Sequence, residues 1–269
     1  SIYEALGVLP PIFATTPPVM GEEGNKKLGK RDGAKDVMEF EKEGYLPETM
    51  MNFLALLGWN PGGEKEIFTK DELINLFTLE KIQKSGGQFG EDKLDWMNKE
   101  HLKLMDESVR NEQIHNKLLE NPLTSKSEII NNEKLLSKIY PIIFDHISKW
   151  GDIDTLLGVG EWSYFFNSPE FEASLLSWKG KTSVLDITKH LNWLLQNLTN
   201  ASEEIFEDSE KIKSLIFDYA TENGRGEVLW PMRVALSGKE KSPDPFTLAY
   251  VLGKNKSIKR IKSAISKLS

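Results

Sequence analysis

The apolar positions of the chain follow a helical period from about residue 36 onward. After Pro47, at the place of a first helical residue, the apolar positions are Met50, Phe53, Leu54 and Leu57. Gly58 supplies the stop signal for this helix. Thr69 and Glu72 have the spacing of a capping box at the start of the next one. No stretch of five or more residues alternates apolar and polar side chains as a strand would, so the predicted fold class is mostly α.

The same pattern continues to the end of the chain. One or two helices are predicted over 91–120. Further helices are predicted over 129–150, 171–178, 184–198, 212–219, 228–236 and 246–252, followed by a last helix capped by Ser257. Pro141 lies inside one of them and predicts a kink or a break. Asn121-Pro122 predicts a boundary, because proline is unfavourable inside a helix. Two packed helical units are therefore expected, divided at about 122–130, after a Pro- and Gly-rich start that is predicted to be irregular.

Composition limits the classes of protein that fit this pattern. The chain has 269 residues, of which 39% are hydrophobic and 28% charged, values typical of a folded globular protein of about two domains. It has no Cys, which excludes a disulfide scaffold, a Cys-ligated zinc site and a thiol nucleophile, and which fits a cytoplasmic location. No apolar run is long enough for a membrane span, and no signal peptide is evident. Ser1 in place of Met suggests a chain cut from something longer.

The net charge argues against nucleic-acid binding, whereas the distribution of the charges along the chain does not. The formal net charge is -7, and nucleic-acid binding usually requires basic surface. Two basic clusters nevertheless stand near the ends of the chain, Lys26, Lys27, Lys30, Arg31 and Lys35 in the first, and Lys254, Lys256, Lys259, Arg260, Lys262 and Lys267 in the second. Each cluster could contact phosphates or could be an ordinary solvated face.

The segment 26–33 is the most informative for chemistry. It reads Lys-Lys-Leu-Gly-Lys-Arg-Asp-Gly, a loop bounded by glycine that carries four cationic side chains. Ammonium groups on such a loop can reach polyphosphate oxygens and stabilise charge that develops in phosphoryl or nucleotidyl transfer. The spacing is not that of a Walker A loop. A solvated surface loop is the alternative interpretation.

Residues 27–31, Lys-Leu-Gly-Lys-Arg, resemble the KLSKR form of the KMSKS signature of class I aminoacyl-tRNA synthetases. The flanking segments that resemble bacterial glutamyl-tRNA synthetases are 11–17 (P-I-F-A-T-T-P), 32–40, 43–48 (E-G-Y-L-P-E), 52–59 (N-F-L-A-L-L-G-W), 66–68, 93–98 and 229–238 (L-W-P-M-R-V-A-L-S-G). Two positions depart from the family pattern, since Gly29 replaces the usual Ser and Thr15 the usual His. The change at Gly29 removes a hydroxyl and adds backbone freedom, which puts a side-chain role there in doubt.

The resemblance implies three domains. Residues 1–35 would be the tail of the catalytic core with its KMSKS-type loop, 36–125 a helical stem-contact region, and 126–269 an α-helical anticodon-binding domain. The catalytic nucleotide-binding core would precede residue 1, so this chain alone is expected to be inactive as a ligase and to hold no bound cofactor.

The family joins glutamate to tRNA-Glu with ATP, which acts together with Mg²⁺, through a glutamyl-adenylate. By resemblance, Lys30 would contact the ATP phosphates and Lys27 and Arg31 would support it. The implied partners are tRNA-Glu, ATP and glutamate, for a monomer that binds neither a membrane nor a metal ion of its own.

Residues for reading the anticodon are also predicted. Unpaired bases are recognised by stacking on aromatic rings and by arginine or polar contacts. The candidates are Arg225, Trp230, Arg233, Lys259 and Arg260. Arg233 could equally be a structural arginine paired with a carboxylate. The other tryptophans considered are assigned to the core instead: Trp150, Trp162, Trp178 and Trp193.

Two other functions compete with the ligase hypothesis. One is a stand-alone tRNA-binding module without enzyme activity. The other is an acidic helical scaffold for protein partners, in which the basic loop has no function. A measurement of tRNA binding would distinguish the protein scaffold from the ligase and from the tRNA-binding module.

Overall fold

The backbone is almost entirely helix and loop. A computed structural model describes residues 2–11, 13, 15–24, 26–29 and 34–268. Within these ranges there are thirteen α-helices, and the β pairing consists of isolated bridges that form no sheet. The mostly-α fold class is therefore confirmed. Lys30, predicted to contact ATP, and Arg31, predicted to support it, lie outside the described residues.

The helices are numbered in chain order. They are α1 (Ile2–Ala5), α2 (Val37–Glu43), α3 (Pro47–Gly58), α4 (Lys70–Leu76), α5 (Glu91–Leu104), α6 (Glu107–Glu120), α7 (Glu133–His146), α8 (Gly151–Gly158), α9 (Ser163–Phe166), α10 (Val184–Asn200), α11 (Ser209–Asn223), α12 (Arg225–Ser237) and α13 (Pro245–Ser266). Short 3-10 turns cover Leu79–Lys81, Glu128–Asn131, Ala173–Leu176, Trp178–Gly180 and Glu203–Glu207.

Helix starts are set by the local signals in the sequence. Pro47 is the first residue of α3, and its missing N–H costs nothing there because that donor has no partner inside a helix. At α4 the Thr69 Oγ1 accepts from the Glu72 N–H at 3.3 Å, and the Glu72 carboxylate accepts from the Thr69 N–H at 3.0 Å. The predicted capping box is thus present with both of its hydrogen bonds.

Three of the predicted elements differ from the structure. The helix predicted over 171–178 is wrong, because that segment forms only the 3-10 turns at Ala173–Leu176 and Trp178–Gly180. Ser257 is not a helix cap, since it lies fully buried inside α13, which begins at the Asp244 cap. Helix α7 continues through Pro141 to His146, so the predicted break is absent there.

The described chain forms two compact units. Unit 1 is Ser1–Arg110 with Ile147–Asp152, and unit 2 is Asn111–His146 with Ile153–Ser269. The change of unit at Arg110–Asn111 precedes the Asn121-Pro122 signal used to divide the sequence. The functional division into a loop-bearing tail, a stem-contact region and an anticodon-binding domain stays a prediction.

The core of unit 1 is aromatic. Phe40, Tyr45 and Phe53 are buried with aliphatic residues of α3 and α5, and burial of each such side chain stabilises the fold by about 1.5–3 kcal/mol. Trp59, Phe68 and Leu73 form a second cluster. Segment 147–152 joins this unit through polar contacts, for the Lys149 ammonium lies 2.9 Å from the Asp95 carboxylate.

The core of unit 2 is built by α10, α11, α12 and α13. Their inward faces are fully buried at Leu191, Leu194, Ile212, Ile216, Met232, Ala235, Leu248 and Ala249. Such apolar faces at a helical period hold the four helices together and leave the other face of each free for polar side chains. The predicted tRNA contacts all lie on α12 and α13, so this core decides where they are placed.

Candidate nucleic-acid interface

Helix α12 carries three of the five predicted tRNA contacts. Its apolar face is buried at Val228, Met232 and Ala235. Trp230 and Arg233 are only partly buried, and because they are three residues apart they lie on one face of the helix. The family-like order of residues on this helix therefore places an aromatic ring and a guanidinium side by side.

Arg233 lines a cleft of about 520 Å³ in unit 2. Its other walls come from α7 and from the segments before α9 and α13: Ile142, Asp145, His146, Glu161, Glu240, Lys241, Ser242 and Pro243. The Arg233 Nε is buried and has no hydrogen-bond partner among the described residues. A buried donor without a partner costs about 1–3 kcal/mol. Because this atom is closed to solvent, a ligand in the cleft would meet the rest of the guanidinium and not the Nε.

The alternative proposed for Arg233, a structural ion pair, is not seen. Among the described residues, no carboxylate lies within ion-pair distance of its guanidinium, although Asp145, Glu161 and Glu240 line the same cleft. These carboxylates make the cleft a mixed site rather than a purely basic one. A nucleobase edge, which carries both donors and acceptors, fits such a mixture better than a phosphate alone.

Arg225 begins α12 and is exposed. Its guanidinium carbon lies 4.5 Å from the centroid of the Phe217 ring, and its Nε donates to the Thr221 Oγ1 at 3.3 Å. The stacking over Phe217 holds the side chain extended across the surface of α11. The guanidinium therefore remains at the surface, where it can contact a phosphate or a base.

Trp230 is fixed by contacts on two sides. Its indole Nε1 donates to the Leu175 carbonyl at 2.8 Å, and its ring centroid lies 5.0 Å from that of Trp178 at an angle of 56°. Trp178, assigned to the core from the sequence, is half-buried beside Trp230. Of the four tryptophans assigned to the core, Trp162 is fully buried, and Trp193 is stacked face to face on Tyr219 with centroids 3.7 Å apart.

Lys259 and Arg260 are neighbours on α13 with different surroundings. Lys259 is exposed at the rim of a cavity of about 200 Å³, whose floor includes Phe165 and Phe166. The Arg260 guanidinium donates to the carbonyls of Leu236, Tyr164 and Asn167, the last two at 2.7 and 3.0 Å. Burial lowers the pKa of Arg260 to about 10. Lys259 can reach a ligand directly, whereas Arg260 already has backbone partners.

The basic loop of unit 1 is described in part. Lys27 is exposed, and its backbone pairs with Met20 in an isolated antiparallel bridge. The end of the loop is fixed by Lys35, whose ammonium lies 2.9 Å from the Glu43 carboxylate and 3.0 Å from that of Glu91. These two carboxylates raise the pKa of Lys35 despite a desolvation that acts to lower it.

The sequence predictions missed Trp178, Lys179 and Glu240 as lining residues of this interface. Trp178 and Lys179 come from a turn more than forty residues before α12, and no periodic pattern connects such distant segments. Gly180 was the one available signal, because a glycine between two helical patterns marks a turn.

Metal-binding clusters and membrane-spanning helices are absent from the described residues. In the part of the chain that the structure describes, no group of three or more His, Asp or Glu side chains could hold a metal ion. No helix within the described ranges is long and apolar enough to cross a membrane.

Two adjoining segments of the chain match known protein families. Residues 95–265 match the family described as the anticodon binding domain. Residues 1–96 match the catalytic domain of class I tRNA synthetases of the E and Q type. The second match extends through most of the segment that was predicted to be a stem-contact region.

Known relatives agree with these matches. The chain is 35% identical to a glutamate–tRNA ligase of Clostridium kluyveri, over 99% of this chain and 52% of the relative. It is 31% identical to that of Natranaerobius thermophilus, over 99% of this chain and 53% of the relative. The chain thus spans about half the length of the curated relatives it matches.

Solved structures show the same relationship. A glutamate–tRNA ligase of Elizabethkingia meningosepticum, solved in complex with its amino acid, is 30% identical with a TM-score of 0.78, over 100% of this chain and 54% of that one. The enzyme of Elizabethkingia anophelis is 31% identical with a TM-score of 0.72, over 98% and 53%. The chain therefore belongs to the glutamate–tRNA ligase family of class I aminoacyl-tRNA synthetases, of which it carries the anticodon-binding domain and part of the catalytic domain.

Proposed function

We propose that this chain acts within a glutamate–tRNA ligase, where unit 2 binds the anticodon of tRNA-Glu. The observation that carries the proposal is the Arg233 cleft, in which a partly buried guanidinium has no ion-pair partner among the described residues and lies among acidic, basic and hydroxyl side chains. Arginine can donate two parallel hydrogen bonds to a base edge, as it does to guanine, or bind an adjoining phosphate. Trp230, one helical turn earlier, offers a ring for stacking.

The other predicted contacts extend this surface. Arg225 at the start of α12 and Lys259 on α13 are exposed cations that can contact phosphates, which position RNA without reading its sequence. Arg260 would act through position: its bonds to the carbonyls of Tyr164 and Asn167 hold that segment against α13 and keep Lys259 at the rim of its cavity.

We further propose that the KMSKS-type loop serves the adenylation step. Lys30 would contact ATP phosphates, with Lys27 and Arg31 beside it and Mg²⁺ bound by the nucleotide. Glutamate is then the amino acid activated. What supports this is the family membership together with the exposure of Lys27 and the fixed end of the loop at Lys35. Adenylation requires the rest of a catalytic domain, so we expect no ATP–pyrophosphate exchange by this chain alone. A monomer in the cytoplasm is the proposed state.

The substitution Arg233→Gln tests the anticodon site. We expect it to weaken binding of tRNA-Glu by about five- to 150-fold, since loss of a two-point base contact costs about 1–3 kcal/mol. Filter binding on the 269-residue chain measures this, with circular dichroism to verify the fold. Lys211→Ala, an exposed cation on α11 outside the cleft, is the matched control and should bind normally.

Arg233→Lys separates charge from geometry. It keeps the positive charge but loses the planar donor pair, so it should bind RNA yet discriminate poorly between tRNA-Glu and another tRNA. Affinity of Arg233→Gln equal to that of Lys211→Ala would contradict the assignment of this cleft.

A further inference from the structure

A second polar cavity of unit 2 lies beside the Arg233 cleft. It has a volume of about 350 Å³ and is lined by Ser174, Leu175, Ser177, Trp178, Lys179, Gly180, Trp230 and Glu240. Glu240 also lines the Arg233 cleft, so the two cavities adjoin. On α12, Trp230 of this cavity and Arg233 of the other are three residues apart, which places their Cβ atoms about 5–6 Å apart.

The backbone at Lys179 is unusual for a lysine. Its φ is 52° and its ψ is 25°, and among the described residues no other non-glycine residue has a positive φ. Gly180 follows with a φ of 67°, and the Lys181 N–H donates to the Trp178 carbonyl at 3.0 Å. A tight turn with two positive φ values favours Asn, Asp or Gly at its first central position. Strain of this kind is common where a side chain serves a ligand.

The turn is held in place by a side chain before it. The Ser177 hydroxyl donates to the Thr182 carbonyl at 2.9 Å and accepts from the Thr182 N–H at 3.1 Å. The two ends of the turn are therefore fixed, and with them the point from which the Lys179 side chain extends. That side chain is exposed, and its ammonium lies 5.0 Å from the centroid of the Trp178 ring.

The Trp178 ring rests against a glycine of α12. A Cβ added at Gly226 would lie only 2.4 Å from the Trp178 Nε1, so any side chain there would push the indole away. Trp230 is fixed in turn by its bond to the Leu175 carbonyl. The two indoles, tilted by 56°, form a half-exposed aromatic surface that the backbone is built to hold.

We propose that Trp178 and Trp230 form a stacking surface for one unpaired nucleotide of the bound RNA, and that Lys179 contacts its phosphate. This inference rests on the proposed tRNA-binding function and adds Trp178 and Lys179 to it. Aromatic rings bind single-stranded bases by stacking without regard to sequence, and a nearby cation neutralises the backbone. The ammonium that covers the Trp178 ring is free to move to the phosphate when a base stacks there.

Glu240 fixes the orientation of the nucleotide. Its carboxylate repels a phosphate, so the phosphate lies on the Lys179 side and the base edge points toward Glu240. Carboxylates accept hydrogen bonds from the exocyclic amino group of cytosine. Because Glu240 also lines the Arg233 cleft, the nucleotide bound here is a direct neighbour of the one that contacts Arg233.

The substitution Lys179→Gly tests the inference, because glycine suits the positive φ and leaves the turn intact. Titrations of the 269-residue chain with tRNA-Glu at several salt concentrations give the affinity and its salt dependence. We expect binding to weaken by about three- to tenfold, and the slope of log K against log salt to become shallower by about 0.7, the value of one phosphate contact on a single strand. Lys181→Ala, two residues along and outside the cavity, should change neither.

Three comparisons decide the outcome. A phosphate contact does not depend on the nucleotide sequence. Lys179→Gly should therefore weaken the binding of tRNA-Glu and of a non-cognate tRNA by the same factor, unlike Arg233→Gln. Lys179→Arg should restore the salt slope. If the unaltered chain binds tRNA-Glu but Lys179→Gly matches Lys181→Ala in affinity and slope, this inference is overturned and the proposed function stands. If the unaltered chain does not bind tRNA-Glu, both are overturned.

Discussion

At the scale of single residues, neighbouring side chains of the same charge have different roles. Lys259 and Arg260 are adjacent in the sequence, and both were predicted to bind tRNA. The structure surrounds Arg260 with the carbonyls of Leu236, Tyr164 and Asn167, and leaves Lys259 exposed. A planar guanidinium can serve several carbonyls at once, which an ammonium on a flexible stem cannot do in the same geometry. The two side chains differ in burial, which cannot be read directly from the sequence.

His101 in unit 1 is a buried histidine that makes a hydrogen bond to Asn52. Its Nε2 lies 3.0 Å from the Asn52 Oδ1, which can only accept, so the Nε2 carries the proton. Desolvation by burial lowers the pKa of His101, with a smaller opposing effect from Glu48. The folded state therefore protonates this imidazole only at a lower pH than the unfolded chain, in which its pKa is near the ordinary 6.5.

Stability should consequently fall as the pH drops through about 6.5. In that range the unfolded state binds the proton more readily than the folded one, so unfolding becomes easier by at most about 1.4 kcal/mol per pH unit for this group. His101→Gln keeps a donor for Asn52 but does not titrate, and we expect a smaller loss of unfolding free energy between pH 7.5 and 5.5. Urea unfolding measures it.

The reference for that experiment is the unaltered chain, measured over the same pH range. His190, whose pKa burial also lowers, contributes equally in both chains. Equal pH dependence in His101→Gln and the unaltered chain would show that His101 does not titrate with folding.

At the scale of elements, Gly253 in the last helix was correctly predicted to interrupt the helical backbone, but the interruption does not divide the segment as expected. Gly253 was predicted to end one helix before Ser257 started another. In the structure Gly253 does interrupt the helical backbone, with a φ of 73° and a ψ of 172°. The helix resumes at the next residue, because Lys254, Asn255 and Lys256 can all adopt helical backbone and Ile261 and Ala264 are buried beyond them.

The interruption should depend on glycine. That combination of dihedral angles is open only to glycine, although a Cβ at Gly253 would meet no atom within 4 Å. Gly253→Ala should therefore lower the free energy of unfolding by about 1–3 kcal/mol through backbone strain alone. Thermal unfolding followed by circular dichroism measures the change.

Gly158→Ala is the matched control. Gly158 ends α8 in ordinary helical geometry and also has open space around its Cβ position. Alanine is the better helix former, so this variant should be neutral or more stable by up to about 1 kcal/mol. A Gly253→Ala chain as stable as Gly158→Ala would mean that the interruption does not need a glycine.

The elements differ in how far the sequence predicts them. Helices α3 and α10 each carry a clear apolar period bounded by a start signal, and both lie where the pattern put them. The segment 171–178 carries apolar residues too, yet tight turns replace the helix because Leu176 is buried while Trp178 leaves the helical path to reach α12. Helix α8 was not predicted, since its eight residues, with a glycine at each end, give too short a pattern.

The same limit applies to the candidate site. Trp230 and Arg233 were predicted because both stand in one family-like segment of one helix. Trp178, Lys179 and Glu240 were not, because their part in the site depends on how distant loops pack against α12. Periodicity fixes which face of a helix is buried, whereas the partner of the exposed face is decided by tertiary structure.

At the scale of the whole molecule, an acidic chain carries a proposed RNA-binding surface. The net charge of -7 argued against RNA, and an acidic protein scaffold was one alternative. Homology to glutamate–tRNA ligases over 99% of the chain does not favour that alternative. Since phosphate contacts act over about 8 Å at physiological salt, the local arrangement of Arg225, Arg233 and Lys259 matters more than the sum of charge.

The central claim is that unit 2 reads the anticodon of tRNA-Glu. The most direct measurement is a filter-binding comparison of the 269-residue chain with tRNA-Glu and with a non-cognate tRNA at about 0.15 M salt. Base readout through the Arg233 cleft predicts that tRNA-Glu binds at least about tenfold more tightly, a difference of about 1.4 kcal/mol. Indistinguishable affinities for the two tRNAs would contradict the account.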